Sequence, residues 1–213
     1  MGFTATTSVC GVSGYTVYYI STGTCTLQSY QSGNSVYAAA SGPTQSFSVV
    51  VAPGTPIMGT ATAGDAQATV TFTVTATGAT LTGYTVTASP GGLTGTGNAS
   101  PITVTGLTNG TAYTFTVTAS YSDSTVIVSN ASNSVTPKAT QTITFPNPGT
   151  QYFGTTLSPT AATASSGLSV GFTATGGVCG VSGITVIYFS TGTCTLQSYQ
   201  SGNSIYAAAS GPT

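Results

Sequence analysis

Four cysteines are the residues of this chain best placed to react with one another. Cys10 and Cys25 lie 15 positions apart, and Cys179 and Cys194 repeat the interval. A C-x14-C spacing with no second pair nearby and no histidine does not match a zinc site. In a Thr- and Ser-rich, charge-poor chain it reads as one disulfide per pair, which requires an oxidising compartment outside the cytoplasm. Two buried free thiols per pair is the alternative reading, and pairing between molecules is a third. Beyond sulfur, reactive groups almost run out. The 213 residues hold one basic side chain, Lys138, two acidic ones, Asp65 and Asp123, and no His or Trp. General acid–base catalysis needs titratable groups within hydrogen-bond reach of the reacting atoms. Glycosidic hydrolysis needs two acids flanking one bond. A nucleophilic Ser needs a neighbouring base, and only Lys138 could serve. The chain therefore reads as non-catalytic. Carboxylates are too few to cage a hard cation, so no metal or cofactor is expected. One Lys cannot neutralise a run of phosphates, which excludes nucleic acid as a partner. Asp65 and Asp123 read as solvated turn residues, and no acid lies near Lys138 in sequence to form an isopeptide link.

These residues sit in a chain that repeats itself. Residues 2–44 recur at 171–213, an offset of 169, with six differences in 43 positions: Thr7/Gly176, Ser8/Gly177, Tyr15/Ile184, Tyr18/Ile187, Ile20/Phe189 and Val36/Ile205. A chain that returns to its own start after one period is a window on a tandem array, and the intervening residues complete one repeat unit. Met1 and Gly2 lead straight into repeat sequence, so any export signal is expected far upstream. The 46 Thr, with Val, Ile, Tyr and Phe, favour pleated, half-buried backbone. Hydroxyls and amides must make the surface polar, and a formal charge of −1 leaves little repulsion between molecules. No apolar run approaches the roughly 20 residues of a membrane span, so insertion into a bilayer is not expected.

Period-two alternation dominates. Along residues 67–77, Val70, Phe72 and Val74 share one face. Tyr84 and Val86, Ile102 and Val104, and Tyr113, Phe115 and Val117 repeat the pattern, with Val126 and Val128 as a last short run. Turn signals at Thr77-Gly78, Pro90-Gly91-Gly92, residues 95–98 and Asn109-Gly110 separate them. About seven short strands in about 85 residues predict an antiparallel sandwich. On the segments PGTPIMGTATAGDAQATVTFTV, LTGYTVTASPGG and SPITVTGLTNGTAYTFTVTAS, residues 52–138 resemble a fibronectin type III domain of bacterial secreted proteins. The resemblance implies a tyrosine corner at Leu107 and Tyr113, with Phe72 where the family commonly has Trp.

The other module is complete only when both copies are combined. It runs from near Gln141 (QTITF) through GLSVGFTAT, VCGVSG, ITVIYFSTGTCTLQSYQ and SIYAAASGPT, and finishes with QSFSVVV, residues 45–51. Ile143, Phe145, Leu168, Val170 and Phe172 supply its alternating core positions. The VC…SG…TV…GTCT pattern resembles bacterial immunoglobulin-like repeats of very large surface proteins and adhesins. If the Cys pair joined the outer two of three adjacent strands, about 9–10 Å would separate them, too far for a bridge. A switch of sheet is therefore expected near residues 21–23.

The expected architecture is all-β, a head-to-tail array of antiparallel sandwiches. Residues 1–51 form a partial immunoglobulin-like module lacking its opening strands, 52–138 the fibronectin type III-like domain, and 139–213 an immunoglobulin-like module lacking its last strand. Pro53, Pro56, Pro137, Pro146 and Pro148 stiffen the joins. Three surface features could carry function. Tyr15, Tyr18 and Tyr19 read as sandwich core plus one exposed ring. A packing surface between chains and carbohydrate stacking are the alternatives, the latter weakened by Ile at 184 and 187. Sequon-like triplets at Asn98, Asn109 and Asn130 arise easily by chance in so Ser/Thr-rich a chain. The strand bearing Gln45, Phe47, Val49 and Val51 could complete an open module of a neighbouring copy, against the alternative of one continuous chain. The expected role is a structural repeat of a long extracellular bacterial surface protein or filament, partnered by its own copies. The alternative is an adhesin module for a glycan or cell-surface ligand.

Overall fold

The computed structural model describes residues 1–75, 78–159 and 161–211. Ala76, Thr77, Thr160, Pro212 and Thr213 lie outside the described residues, and with them the end of the 67–77 alternation, half of the Thr77-Gly78 turn signal and the last two positions of the repeat. Among the described residues every regular element is a strand. They gather into two compact units: Met1–Ile57 with Val74–Gly83 and Thr118–Ser129, and Met58–Thr73 with Tyr84–Val117 and Asn130–Thr213.

The first repeat copy contains β1 (Gly2–Ala5), β2 (Cys10–Ser13), β3 (Thr16–Tyr19), β4 (Gly23–Gln31) and β5 (Ala40–Val49). β1, β4 and β5 form one antiparallel sheet, and β2 pairs with β3 in another. Cys10 on β2 and Cys25 on β4 are bonded, with Cα atoms 5.6 Å apart. The disulfide therefore staples two sheets, and the chain changes sheet between Tyr19 and Gly23. Gly23 makes this step at φ 137°, a region closed to ordinary side chains, and Gly192 repeats it at φ 139°.

The middle segment contributes β6 (Ile57–Ala63), β7 (Gln67–Thr73), β8 (Leu81–Ser89), β9 (Thr94–Gly97), β10 (Ile102–Thr105), β11 (Thr114–Tyr121) and β12 (Val126–Val128). They form a three-stranded sheet, β10-β7-β6, and a four-stranded one, β12-β11-β8-β9. Alternation does what the sequence requires. Val70, Phe72, Val86, Ile102, Val104, Phe115 and Val117 are buried, with Thr residues between them. Burying each such side chain stabilises the fold by about 1.5–3 kcal/mol. Phe72 packs edge-on against Tyr84, ring centroids 4.8 Å apart. The Tyr113 hydroxyl accepts the Thr108 N–H at 3.1 Å beside buried Leu107, which completes the tyrosine corner. β12 lies at the sheet edge, with Val126 and Val128 exposed.

The last segment contributes β13 (Ile143–Thr144), β14 (Thr156–Leu157), β15 (Thr163–Ala164), β16 (Gly171–Thr175), β17 (Cys179–Ser182), β18 (Thr185–Tyr188), β19 (Thr195–Gln200) and β20 (Ala209–Ser210). Its sheets are β13-β15, β14-β18-β17 and β16-β19-β20. Ile143, Ala164, Val170 and Phe172 form one core cluster and Cys179, Val186, Tyr188 and Leu196 a second, with Phe145 packed against both. Leu168 is only half-buried. The Cys179–Cys194 disulfide repeats the staple at the same Cα separation of 5.6 Å.

Closing a loop of 15 residues stabilises the fold by about 3 kcal/mol in the chain-entropy model. The double substitution Cys179→Ser, Cys194→Ser is expected to lower unfolding free energy by about that amount, read from urea titrations under non-reducing conditions.

Candidate functional site

The two copies of the repeated segment place near-identical residues in different surroundings, and the contrast shows which of their rings are exposed. In the second copy, β14 lies beside β18, pairing Thr156 with Ile187 and Leu157 with Val186. β13 and β15 supply Ile143 and Ala164 to the core cluster that holds Phe172. There Phe172 is 6% and Tyr188 8% exposed. Their counterparts in the first copy, Phe3 and Tyr19, are 40% and 61% exposed. Burial also pushes the Tyr188 hydroxyl above its ordinary pKa.

The expectation that the Tyr15, Tyr18 and Tyr19 cluster is mostly core is overturned, because all three rings are exposed. Tyr15 precedes β3, in the turn after β2, where period-two alternation does not apply. Tyr18 and Tyr19 are on β3, which among the described residues is laddered to β2 alone. The counterpart of Tyr19 in the second copy, Tyr188, is buried. The three rings thus lie together in sequence on an accessible surface, with Phe47 set edge-on to Tyr19 at a centroid distance of 6.1 Å.

Gln45, Phe47 and Val49 lie on β5, which is paired with β4 in register Leu27↔Gln45, Cys25↔Phe47 and Gly23↔Val49. The Ser46 and Thr26 hydroxyls meet at 2.8 Å. Val51 lies past the end of the strand. With β5 laid over it, Cys25 is fully buried. Its counterpart Cys194 is half-exposed, and residues 192–194 drop out of the strand that their counterparts form in β4. Beside them opens a groove of about 750 Å³, lined by Phe145, Tyr188, Cys194, Leu196 and the 147–153 loop.

A third feature escaped the sequence reading. Asp65 is not simply a solvated turn residue. Its carboxylate accepts the Thr140 N–H at 2.8 Å, the Thr140 hydroxyl at 2.8 Å and the Asn109 side-chain amide at 2.9 Å. The Asn109 side-chain oxygen accepts the Ala66 N–H. Asn109 is therefore a structural hub rather than an open sequon, whereas the Asn98 side chain is exposed. Next to this clamp, Ala139 donates to the Ile205 carbonyl at 2.7 Å and accepts the Ala207 N–H at 2.9 Å, a parallel bridge to Tyr206. The Gly110 N–H donates to the Pro137 carbonyl, and a side chain on Gly110 would meet Ile205 at 3.1 Å. The fibronectin-like turns thus grip the linker where it enters the next module. The donors to Asp65, first the Thr140 N–H and then the Asn109 amide, hold its carboxyl below the ordinary carboxylate value. Asp123 is lowered in the same way by the Thr125 N–H and caps the β11–β12 hairpin. Lys138 is exposed, and its backbone N–H donates to the Gly64 carbonyl at 3.2 Å. Among the described residues no three His, Cys, Asp or Glu side chains gather, and no helix is long and apolar enough to cross a membrane.

Residues 51–136 match the family model of the fibronectin type III domain. No curated protein matches the chain in sequence. The middle segment is therefore a fibronectin type III β-sandwich, a structural or binding module.

Two outcomes follow for the joint. Ionised Asp65 is favoured by the fold, so its contribution is present above the unfolded carboxyl pKa, near 4, and lost as pH falls through the lower folded value. Asp65→Asn should lower the urea midpoint at about pH 6, and the difference from the parent chain should vanish towards about pH 2. Gly110→Ala, at φ 84°, should cost about 1–2 kcal/mol from the left-handed backbone alone and loosen the Ile205 contact. Faster amide exchange at Ala139 and Ala207 would register that loosening.

Proposed function

We propose that this chain is one period of a long extracellular, non-catalytic protein in which immunoglobulin-like and fibronectin type III sandwiches alternate, building a stalk or filament at a bacterial cell surface. The observation that carries the reading is the 43-residue segment repeated with its own disulfide in each copy, separated by a fibronectin type III domain. Two staples support an oxidising compartment. The Asp65–Asn109–Thr140 clamp and the Ala139 bridge support a mechanical role, since they restrain the linker between successive domains. The scarcity of ionisable side chains supports a role without acid–base chemistry. In this role the partners are further copies of the repeat, with strand complementation as a route to polymers.

The exposed Tyr15, Tyr18 and Tyr19 rings favour a second reading, an adhesin surface that stacks on a glycan or cell-surface ligand. The Ile residues at 184 and 187 would confine such a surface to the first copy.

Antibody against residues 52–138 should label intact producing cells, and negative staining should reveal beaded fibres or stalks. Label that appears only after permeabilisation would defeat the extracellular reading. Glycan capture that is lost in a Tyr15→Ala, Tyr18→Ala variant, without fibres or stalks, would favour the adhesin.

A further inference from the structure

We propose that the Lys138–Ala139 peptide bond is a latent cleavage site for a protease of trypsin-like specificity, closed to it while the joint around Ala139 is formed. The inference goes beyond the structural role above and adds a modification site with its partner. Lys138 is the single basic side chain in 213 residues. It is exposed, whereas Pro137 before it is fully buried. A protease that selects its substrate by a carboxylate in its specificity pocket has this one address in the chain. The side chain is open to recognition, so access to the main chain decides whether the bond is cut.

The main chain is in use on both sides of that bond. Upstream, the Pro137 carbonyl accepts the Gly110 N–H at 2.8 Å, and the Lys138 N–H donates to the Gly64 carbonyl at 3.2 Å. Downstream, the Ala139 N–H donates to the Ile205 carbonyl at 2.7 Å and the Ala139 carbonyl accepts the Ala207 N–H at 2.9 Å. The Thr140 N–H donates to the Asp65 carboxylate at 2.8 Å. A protease must draw the residues flanking the bond into its cleft as an extended strand and hydrogen-bond their backbone itself. The two sets of partners exclude each other, so the joint must open before the bond is cut. Water then adds across the bond, leaving a carboxylate on Lys138 and an amine on Ala139. The disulfides join Cys10 to Cys25 and Cys179 to Cys194, so neither spans the bond and a cut there parts the chain. On the repeat reading, with a period of 169 residues holding one Lys and no Arg, an array would be severed once per repeat, just after each fibronectin type III domain.

The test uses the intact, oxidised chain, trypsin, and a synthetic peptide of residues 133–144, which carries the same bond without the joint. Cleavage, followed by mass, should be at least about a hundredfold slower in the chain than in the peptide. Asp65→Ala removes the acceptor of the Thr140 N–H and of the Asn109 amide. It should speed cleavage of the chain at least about tenfold, while amide exchange at Val70 and Phe115 keeps the parent rate. Gly110→Ala should act in the same direction. Cleavage of the parent chain at the peptide's rate overturns the latent site, since the joint then shields nothing. Faster cleavage with an equal rise in exchange at Phe115 overturns the joint as the gate, since the domain as a whole has then opened. Equal resistance in the parent chain and both variants overturns it as well. Each of these failures is separate from the extracellular reading, which surface labelling of cells decides.

Discussion

Every sheet here must have one face covered by apolar side chains, because the chain has almost nothing else with which to hold itself together. A domain rich in Lys, Glu and Arg can draw on ion pairs and helix-surface pairs as secondary support. This one has backbone ladders, threonine hydroxyls and apolar faces. The repeated segment makes the constraint visible, because near-identical residues meet two different neighbourhoods. Where β13, β14 and β15 pack near, Phe172, Val186 and Tyr188 sink into the core. In the first copy, their counterparts Phe3 and Tyr19 are exposed. Local sequence sets which face a side chain occupies, and the neighbouring sheet sets whether that face is interior.

The staples belong to the same economy of means. Each links two sheets that short ladders alone would hold weakly, since β2–β3 and β17–β18 are four residues long. Cys10, Cys179 and Cys25 are buried, so each bridge also serves as core. The fibronectin type III domain, with no cysteine, instead relies on a dense interior around Phe115, Val70 and Val104 and on the Tyr113 hydroxyl at its corner.

Much of this was legible before any coordinates. Alternation identified Val70, Phe72, Val86, Phe115 and Val117, because a strand with one buried face has a period that no other element shares. Bridge geometry placed the change of sheet near residues 21–23, because sheet spacing and disulfide reach are both fixed. The tyrosine corner at Leu107 and Tyr113 was implied by the fibronectin type III resemblance. What stayed hidden depends on residues far apart in the chain. Asp65 looked solvated because its donors, Asn109 and Thr140, lie 44 and 75 positions away. Tyr15 read as one of three rings in a mostly buried cluster, whereas Gly14, at φ 63°, starts a turn there. Tyr19 and Tyr188 are the same residue with different sequence neighbours, Tyr18 and Ile20 against Ile187 and Phe189, and Tyr188 also packs in a core cluster with Val186 and Leu196.

The staples also set how far each module can stretch. Fifteen residues pulled straight would span roughly 50 Å at 3.3–3.6 Å per residue. The bridge holds those ends at a Cα separation of 5.6 Å in both copies. Under tension a ruptured sandwich would therefore pay out roughly 45 Å less contour than its length in residues implies. Each disulfide-stapled segment would act as a stopped spring, while the cysteine-free fibronectin type III domain would unravel over its whole length.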